Sequence, residues 1–306
     1  MKALGVNISH HCSCAFFENG VLKEYYEEDR FNKIKHYSPE DDENANYNYK
    51  YQFLKKFKNI IFDVVVFASY DRGNLQIELP IIKHILKQVR YKKYYFNNNH
   101  HHIYHATCGY FFSKFDEAIA LTSDGGGEME LESNFRTLQG IFLINKQKVI
   151  PKYKYISNKR TDYFNNFVPI EVNKTDKIDY TMSNKPKAGL KYIHYLQKAG
   201  WKDHTEGQMM GIAPYKNKKS NLDKKILEIA DEAQRETLQD VVQLIEKAKE
   251  YSDCKNIILS GGYHLNCANN FKLVKLYPDF NFFVDPIPYD GGTAIGAVYF
   301  YENYKR

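Results

Sequence analysis

Two histidines four residues apart are the strongest chemical signal in this sequence. His101 and His105 belong to the run HHHIYHA, residues 100 to 106. On a helix this spacing places both imidazoles on one face, one turn apart. Such a pair can chelate a transition ion if carboxylates from distant positions complete the ligand set. A solvated, histidine-rich helix start is the alternative, and we expect His100 and His102 to take no part.

Three glycine-containing turns are the next signal, because glycine lets backbone N–H groups approach a phosphate. SDGGGE, residues 123 to 128, follows an apolar strand, and its Asp124 is suited to hold a metal ion. LSGGYHLN, residues 259 to 266, has the same strand-then-glycine pattern, and PYDGGTAIGA, residues 288 to 297, contains an aspartate turn. The run at residues 123 to 128 is not a Walker A loop, since no Gly-Lys-Ser/Thr follows, and an ordinary glycine-rich turn between strands is the alternative for it.

The amino-terminal run LGVNISHHCSC allows two interpretations. If it is a strand, His10, Cys12 and Cys14 lie on one face. They could form a soft-metal site, although three ligands on one strand close poorly into a tetrahedron. The preferred interpretation makes His10 an acid-base residue and both cysteines core thiols.

The remaining segments alternate between strand and helix patterns and predict an α/β chain. Asn19-Gly20 predicts a tight hairpin between two of the strands. The predicted strands are residues 3–8, 14–18, 21–27, 63–68, 94–96, 117–122 and 256–260. The predicted helices are one ending at residue 57 and those at 79–89, 221–251 and 291–304. We find no internal repeat in the sequence.

Composition narrows the class of protein. The chain has 306 residues, enough for two lobes, and no run of about 18 apolar residues that could cross a membrane. Its start lacks the features of a signal peptide, and its five cysteines are too few for a secreted disulfide scaffold, so we expect a cytoplasmic protein with reduced thiols. The net charge of +6 suits a phosphate-bearing ligand without requiring a nucleic acid.

Seven motifs, taken in order, resemble those of the NodU and CmcH type of carbamoyltransferase. They are LGVNISHHCS, EDRFNKIKH, HHIYHA, LTSDGGGE, HTEGQMMGIAPY, LSGGYHLN and PYDGGTAIGA, and they cover residues 4 to about 300. They correspond to the domain that these enzymes share with the threonylcarbamoyl-transferring tRNA-modification proteins. The resemblance implies the two-lobed α/β fold of the actin, sugar-kinase and Hsp70 type (ASKHA), with nucleotide and metal in the cleft. We expect lobes at 1–115 and 116–306, with an insertion at about 150–200.

The resemblance also implies roles for individual residues. The metal ligands, usually of iron although manganese or zinc would also fit, are His101, His105, Asp124 and Asp290. The nucleotide contacts are Gly126, Gly127, Glu206, Gly207, Gly262 and Asn266. His10 and Lys35 face the carbamoyl group, His10 as the base and Lys35 to neutralise developing charge. The sequence departs from the family at His11, where Asp is usual, and at Gln208, where Lys is usual.

The implied reaction is transfer of a carbamoyl group from carbamoyl-adenylate, formed from ATP and carbamoyl phosphate, to a hydroxyl. Typical members continue into a YrdC-like domain that makes the adenylate. This chain is expected to lack that domain, so either a separate protein supplies the intermediate or the chain performs both steps.

The segments that would bind the acceptor are the least patterned part of the sequence. Short phage-encoded members resemble enzymes acting on 5-hydroxymethylpyrimidines, such as 5-hydroxymethylcytosine, in nucleotides or DNA. The alternatives are a sugar or small metabolite as acceptor, and a nucleotide-binding subunit without activity. Three basic and aromatic stretches, residues 89–96, 152–160 and 216–225, are suited to contact DNA, or else are solvated faces.

Overall fold

Two mixed β-sheets organise the chain. The structure, a computed structural model, describes residues 1–39, 49–69, 75–130, 135–158, 178–183, 185–202, 205–218 and 221–305. The first sheet has the strand order β3-β2-β1-β4-β5. Its strands are β1 (Lys2–Asn7), β2 (Ser13–Glu18), β3 (Val21–Glu27), β4 (Ile61–Ala68) and β5 (Arg90–Phe96).

The first three strands form an antiparallel meander, as predicted. Asn19 and Gly20 have φ angles of 53° and 77°, which is the backbone that a two-residue hairpin turn requires. Strands β4 and β5 then add parallel to β1. The connections hold the short helix α1 (Asp29–Asn32), a 3-10 turn at Phe53–Phe57 in place of the predicted helix, and α2 (Leu75–Leu86).

The second sheet repeats this topology. Strand β6 (Glu117–Ser123) pairs antiparallel with β8 (Phe135–Asn145), which pairs antiparallel with β9 (Val149–Asn158). Strands β11 (Asn256–Ser260) and β12 (Asn281–Val284) add in parallel on the other side of β6. The short strand β7 (Met129–Glu130) pairs with β8, and β10 (Asp179–Ser183) lies beyond β9. The lobes therefore share a strand order that the sequence does not show as a repeat.

Two helices cross between the lobes and contact each other. Helix α3 (His101–Ser113) packs on β6 and β11, whereas α8 (Thr293–Phe300) packs on β1, β2 and β4 and is followed by a π-helical turn at Tyr301–Lys305. A Cβ on Gly296 would lie 1.8 Å from the Tyr104 carbonyl oxygen, so glycine is what lets the helices approach this closely. The α3–α8 contact brings the His101 turn beside Asp290.

The other helices cover the second sheet. They are α4 (Ala188–Lys198), α5 (Glu206–Ile212), α6 (Lys224–Lys249) and α7 (Cys267–Leu276). Helix α6, predicted at 221–251, starts at an N-cap Asp223 whose carboxylate accepts from two backbone N–H groups. In the described part of the chain, no helix is long and apolar enough to span a bilayer.

The segment at about 150–200, expected as an insertion, contains β9, β10 and α4. Both strands belong to the second sheet, and α4 packs against its core. Residues 159–177 and 184 of this segment lie outside the described residues. The placement of the lobe boundary near residue 115 stays a prediction.

We predict that Gly296→Ala lowers the free energy of unfolding by about 2 to 3 kcal/mol, because the added methyl overpacks the α3–α8 contact. Gly211→Ala is the matched control, since Gly211 is exposed in α5 and its Cβ would meet nothing within 4 Å. We expect that variant to stay within about 1 kcal/mol of the parent, on the stabilising side. Urea unfolding measures both, and equal effects would contradict the close packing.

Candidate functional site

The first two turns of α3 supply two imidazoles on one face, as the spacing predicts. The side chains of His101 and His105 are buried, and their Nε2 atoms are 3.2 Å apart. Ligands about 2.1 Å from one ion lie roughly 3 to 3.5 Å from each other. The two histidines are therefore already spaced as ligands of a single ion.

Asp124 follows β6 and points at these imidazoles. Its Oδ2 is 3.2 Å from Nε2 of His101 and 3.9 Å from Nε2 of His105. Its Oδ1 accepts a hydrogen bond of 3.1 Å from the backbone N–H of Gly262. Gly261 makes this possible, because its φ is 92° and a Cβ there would lie 2.3 Å from the Ser123 carbonyl oxygen. The second glycine turn thus orients a candidate ligand.

Asp290, just before α8, completes the cluster. Its Oδ1 is buried, accepts no hydrogen bond within the described residues, and lies 3.6 Å and 3.5 Å from Nε2 of His101 and His105. Its Oδ2 accepts from the Ser9 hydroxyl at 3.1 Å and contacts His10 Nε2 at 3.1 Å. Asp290 therefore offers one oxygen to the cluster and anchors His10 with the other.

The four side chains fit a divalent transition ion. One ligand atom from each of them lies within 4.8 Å of the other three. Two neutral imidazoles and two carboxylates form a donor set that iron, manganese and zinc all accept. The unsatisfied Oδ1 of Asp290 adds to this fit, since a buried oxygen without a donor suits a cation. The structure thus brings together the four residues that the sequence analysis assigned to the metal.

The charges of the cluster compensate one another. Burial alone would lower the pKa of His101, but Asp290 and Asp124 outweigh it and raise that pKa to about 9. Burial and the charge of Asp290 favour the neutral form of Asp124, yet His101 and His105 lower its pKa to about 2. Burial likewise opposes ionisation of Asp290, and His10 and His101 overcome it and hold the pKa well below its usual value. At neutral pH the carboxylates are charged and attract a cation.

His10 and His11 lie in the loop between β1 and β2, not on a strand, so the predicted strand face is wrong. The Asn7 side chain donates to the carbonyl oxygens of both residues, at 3.1 Å and 3.2 Å, and His11 has a φ of 56°. Strand β2 begins only at Ser13. Cys12 and Cys14 are buried in the core of the first lobe, as the preferred interpretation had it, and not in a metal site.

A row of three imidazoles leads away from Asp290. His10 Nδ1 is 2.9 Å from His11 Nδ1, and His11 Nε2 is 2.5 Å from His36 Nδ1. Sequence reasoning did not connect these residues, because His36 has a φ of 58° and reaches His11 only through the turn after α1. The sequence feature that pointed to this row was His11 itself, which stands where the family usually has Asp.

A groove lies at the outer end of this row. Its lining residues are His11, Glu27, Asp29, Arg30, Lys33, Lys35, His36, Leu265 and Tyr289. Lys35, expected beside the carbamoyl group, is exposed in this groove. It shares the groove with His11, which contacts His10.

The candidate nucleotide residues have mixed surroundings. Gly126 and Gly127 are buried next to Asp124, and a Cβ on Gly127 would lie 2.4 Å from the His102 ring. Glu206 and Gly207 begin α5, where Gly207 is exposed with open space beside it. These positions, with the backbone of Gly262, stay predictions as nucleotide contacts.

The Asn266 side chain is already used by the fold. Its Oδ1 accepts from the Asn269 N–H as the N-cap of α7 and from the Gln234 amide, and its Nδ2 donates back to Gln234. This bonding leaves the buried amide little capacity for a nucleotide. The family motif is matched here by a residue that caps a helix.

Glu128 is a residue whose role the sequence analysis missed, although the motif SDGGGE contains it. It is buried, accepts from the His102 N–H at 3.1 Å and pairs with Lys154 Nζ at 2.8 Å. His102 itself is paired with the Thr122 hydroxyl and the Thr137 carbonyl, consistent with its expected absence from the metal site. Glu128 therefore ties the start of α3 to the glycine run.

The basic stretches expected to contact DNA differ in exposure. Tyr153, Lys154 and Tyr155 are buried, so the described part of the stretch at 152–160 is core and not a binding face. In 216–225, Lys216 pairs with Asp231, and residues 219–220 lie outside the described part. The stretch at 89–96 is largely strand β5, at the edge of the first sheet, and Tyr94 in it is 52% exposed.

Comparisons with known proteins support part of the resemblance. Residues 181–299 match the family described as carbamoyltransferase N-terminus. The uncharacterized protein sll1178 of Synechocystis is 25% identical over 212 residues, which cover 63% of this chain and 34% of that protein. The chain thus spans about a third of the length of this curated relative.

Three solved structures share the fold of the whole chain. Full-length HypF in its phosphate- and nucleotide-bound form has a TM-score of 0.59 at 13% identity, over 99% of this chain and 56% of HypF. A ROK family protein of Streptococcus pneumoniae, in complex with sucrose, has a TM-score of 0.55 at 10% identity over 100% of both chains. The activator of the 2-hydroxyisocaproyl-CoA dehydratase of Clostridium difficile, with bound ADPNP, has a TM-score of 0.53 at 11% identity, over 98% and 94% of the two chains.

These findings confirm the predicted fold. The chain has the two-lobed α/β architecture of the sugar-kinase and actin type, and its residues 181–299 are similar to the N-terminus of the carbamoyltransferases.

Proposed function

We propose that this chain transfers a carbamoyl group from carbamoyl-adenylate to a hydroxyl acceptor. The observation that carries the proposal is the cluster of His101, His105, Asp124 and Asp290, with His10 bonded to one of its carboxylates and a groove beyond. The match of residues 181–299 to carbamoyltransferases supports the same reaction. ATP and carbamoyl phosphate are the sources of the adenylate, made by this chain or by a separate protein.

The four clustered side chains would hold the metal ion, with Fe²⁺ expected and Mn²⁺ or Zn²⁺ as alternatives. When bound, such an ion supplies Lewis acidity and anchors phosphate oxygens. The chain's own contribution is orientation. Gly262 fixes Asp124 through its N–H, and Ser9 fixes Asp290 through its hydroxyl.

His10 is the proposed base. With its Nε2–H directed at Asp290, its Nδ1 is the acceptor atom that now faces His11. An acceptor hydroxyl that takes the place of the His11 ring would deliver its proton to this Nδ1. The carboxylate of Asp290 would then stabilise the imidazolium, while Lys35 neutralises charge that develops on the carbonyl or phosphate oxygens.

The proposed acceptor is a 5-hydroxymethylpyrimidine, in a nucleotide or in DNA. Carbamoyl-adenylate is a mixed anhydride with a good leaving group, so alignment of the hydroxyl and removal of its proton are the main demands on the protein. The backbone of Gly126, Gly127 and Gly262, with Glu206 and Gly207, is proposed to contact the adenylate. The groove proposed to receive the acceptor is lined by His11, which contacts His10.

We predict that the purified protein binds one equivalent of Fe²⁺ or Mn²⁺, and that His105→Ala weakens binding by more than about 100-fold. His194→Ala, on the partly exposed side of α4, is the control and should bind as the parent does. Elemental analysis after dialysis and a metal titration give the stoichiometry and Kd. Equal metal content in parent and His105→Ala would contradict the assignment.

We predict that metal affinity rises with pH. Below its pKa of about 9, His101 carries a proton that the ion must displace. The Kd should therefore fall by about tenfold for each pH unit between pH 6 and 8, with release of one proton per ion bound. Titrations in buffers of different ionisation enthalpy measure that proton. A Kd independent of pH would show that metal binding does not displace a proton from His101.

We predict that protein with ATP, carbamoyl phosphate, Fe²⁺ and a 5-hydroxymethylcytosine nucleotide or DNA yields a product heavier by one carbamoyl group. His10→Ala should abolish transfer and leave nucleotide binding intact, whereas His194→Ala should retain both transfer and nucleotide binding. Mass spectrometry of the acceptor measures whether its mass has increased by one carbamoyl group. A product formed only with a separate adenylate-forming protein would assign donor synthesis to that protein, and transfer to sugars alone would exclude the pyrimidine acceptor. No transfer to any acceptor would leave a nucleotide-binding subunit as the explanation.

A further inference from the structure

The groove at the outer end of the imidazole row carries exposed positive charge. Its charged lining residues are Glu27, Asp29, Arg30, Lys33 and Lys35. The two acidic side chains are only 7% and 16% exposed, whereas that of Arg30 is 77% exposed, and both lysines are exposed. The charge that a ligand in the groove would meet is therefore mainly cationic.

One acid of the groove, Glu27, is already engaged by the fold. The Glu27 carboxylate accepts hydrogen bonds from the hydroxyls of Tyr25 and Tyr289. The guanidinium of Arg30 lies 3.7 Å from Glu27 and 3.6 Å from Asp29, longer than hydrogen bonds. Its planar donors therefore remain available for an oxyanion, which guanidinium groups bind in a bidentate manner.

The turn after α1 adds the second cation. Lys33 ends α1 in the left-handed conformation, with its N–H donated to the Asp29 carbonyl. Its ammonium reaches back to the Arg30 carbonyl at 2.9 Å. This contact holds the ammonium at the backbone of the residue that bears the guanidinium, and both residues line the groove.

The same groove also has apolar walls. Leu265 is 51% exposed, and the Tyr289 ring lies 4.7 Å from the His11 ring, centroid to centroid. A flat, partly apolar ring can stack on such surfaces. The groove thus combines a site for an oxyanion, a site for a ring and, through His11, a contact with His10.

We propose that this groove binds the phosphate-bearing form of the acceptor, a nucleotide. Arg30 and Lys33 would take the phosphate, while Leu265 and Tyr289 contact the base, whose hydroxyl points to His10. The inference rests on the proposed function for the role of His10, and it adds which residues of the groove take the phosphate and the base of the acceptor. The phosphate of the donor, carbamoyl phosphate, is the other source of the same chemistry, and the experiment separates the two.

The test measures binding to the full chain by calorimetry, without donor or ATP. The probes are 5-hydroxymethyldeoxycytidine 5′-monophosphate, the same nucleoside without phosphate, and carbamoyl phosphate. We expect the nucleotide to bind at least tenfold more tightly than the nucleoside. The double variant Arg30→Gln/Lys33→Gln should remove this preference, and Lys247→Gln/Lys249→Gln, which removes the same charge from α6, should keep it.

Equal affinity for nucleotide and nucleoside in the parent protein would overturn the inference. So would displacement of the nucleotide by carbamoyl phosphate at equal or lower concentration, since the groove would then be the donor's site. Transfer assays keep this outcome apart from failure of the proposed function. Equal kcat/KM for nucleoside and nucleotide would contradict the phosphate site but support carbamoyl transfer. Phosphate-dependent binding without any transfer would support the phosphate site but contradict carbamoyl transfer.

Discussion

Each of two buried carboxylates lies within 4 Å of both of two buried imidazoles, and this mutual charge compensation is the constraint on which the site depends. Burial alone would drive both Asp124 and Asp290 toward their neutral forms. The imidazoles reverse that preference and hold negative charge at the centre of the molecule. A divalent ion would serve the same purpose, so the arrangement that keeps both carboxylates ionised also suits a cation.

The four side chains of the cluster come from three different elements of the fold. The histidines come from α3, Asp124 from the end of β6 and Asp290 from the start of α8, and no two of these elements are neighbours in sequence except α3 and β6. Gly296 allows α3 and α8 to touch, and Gly261 allows the ends of β6 and β11 to meet. Glu128 then ties the start of α3 to the glycine run. The close contacts between these backbone segments thus place the ligands, and hydrogen bonds orient their side chains.

The parts of the fold and of the site that depend on neighbouring residues could be predicted from the sequence. The Asn19-Gly20 hairpin, the helical spacing of His101 and His105 and the strand before Asp124 all depend on short-range rules. The sequence could not predict that His10 leaves the strand, because the cause is an Asn7 side chain that binds two carbonyl groups of the loop. Nor could it show that Lys154 is buried, since its partner Glu128 is 26 residues away. The pairing of the Asn266 side chain with Gln234 was hidden for the same reason, because Gln234 belongs to another helix.

The central claim is that four side chains from three separate elements bind one ion. Crystals grown with Fe²⁺ and measured on both sides of the iron absorption edge test this claim directly. We predict a single anomalous peak about 2.1 Å from Nε2 of both histidines, with an oxygen of Asp124 and one of Asp290 in its coordination sphere. A peak bound elsewhere, or an ion held by the histidines while either aspartate points away, would contradict it.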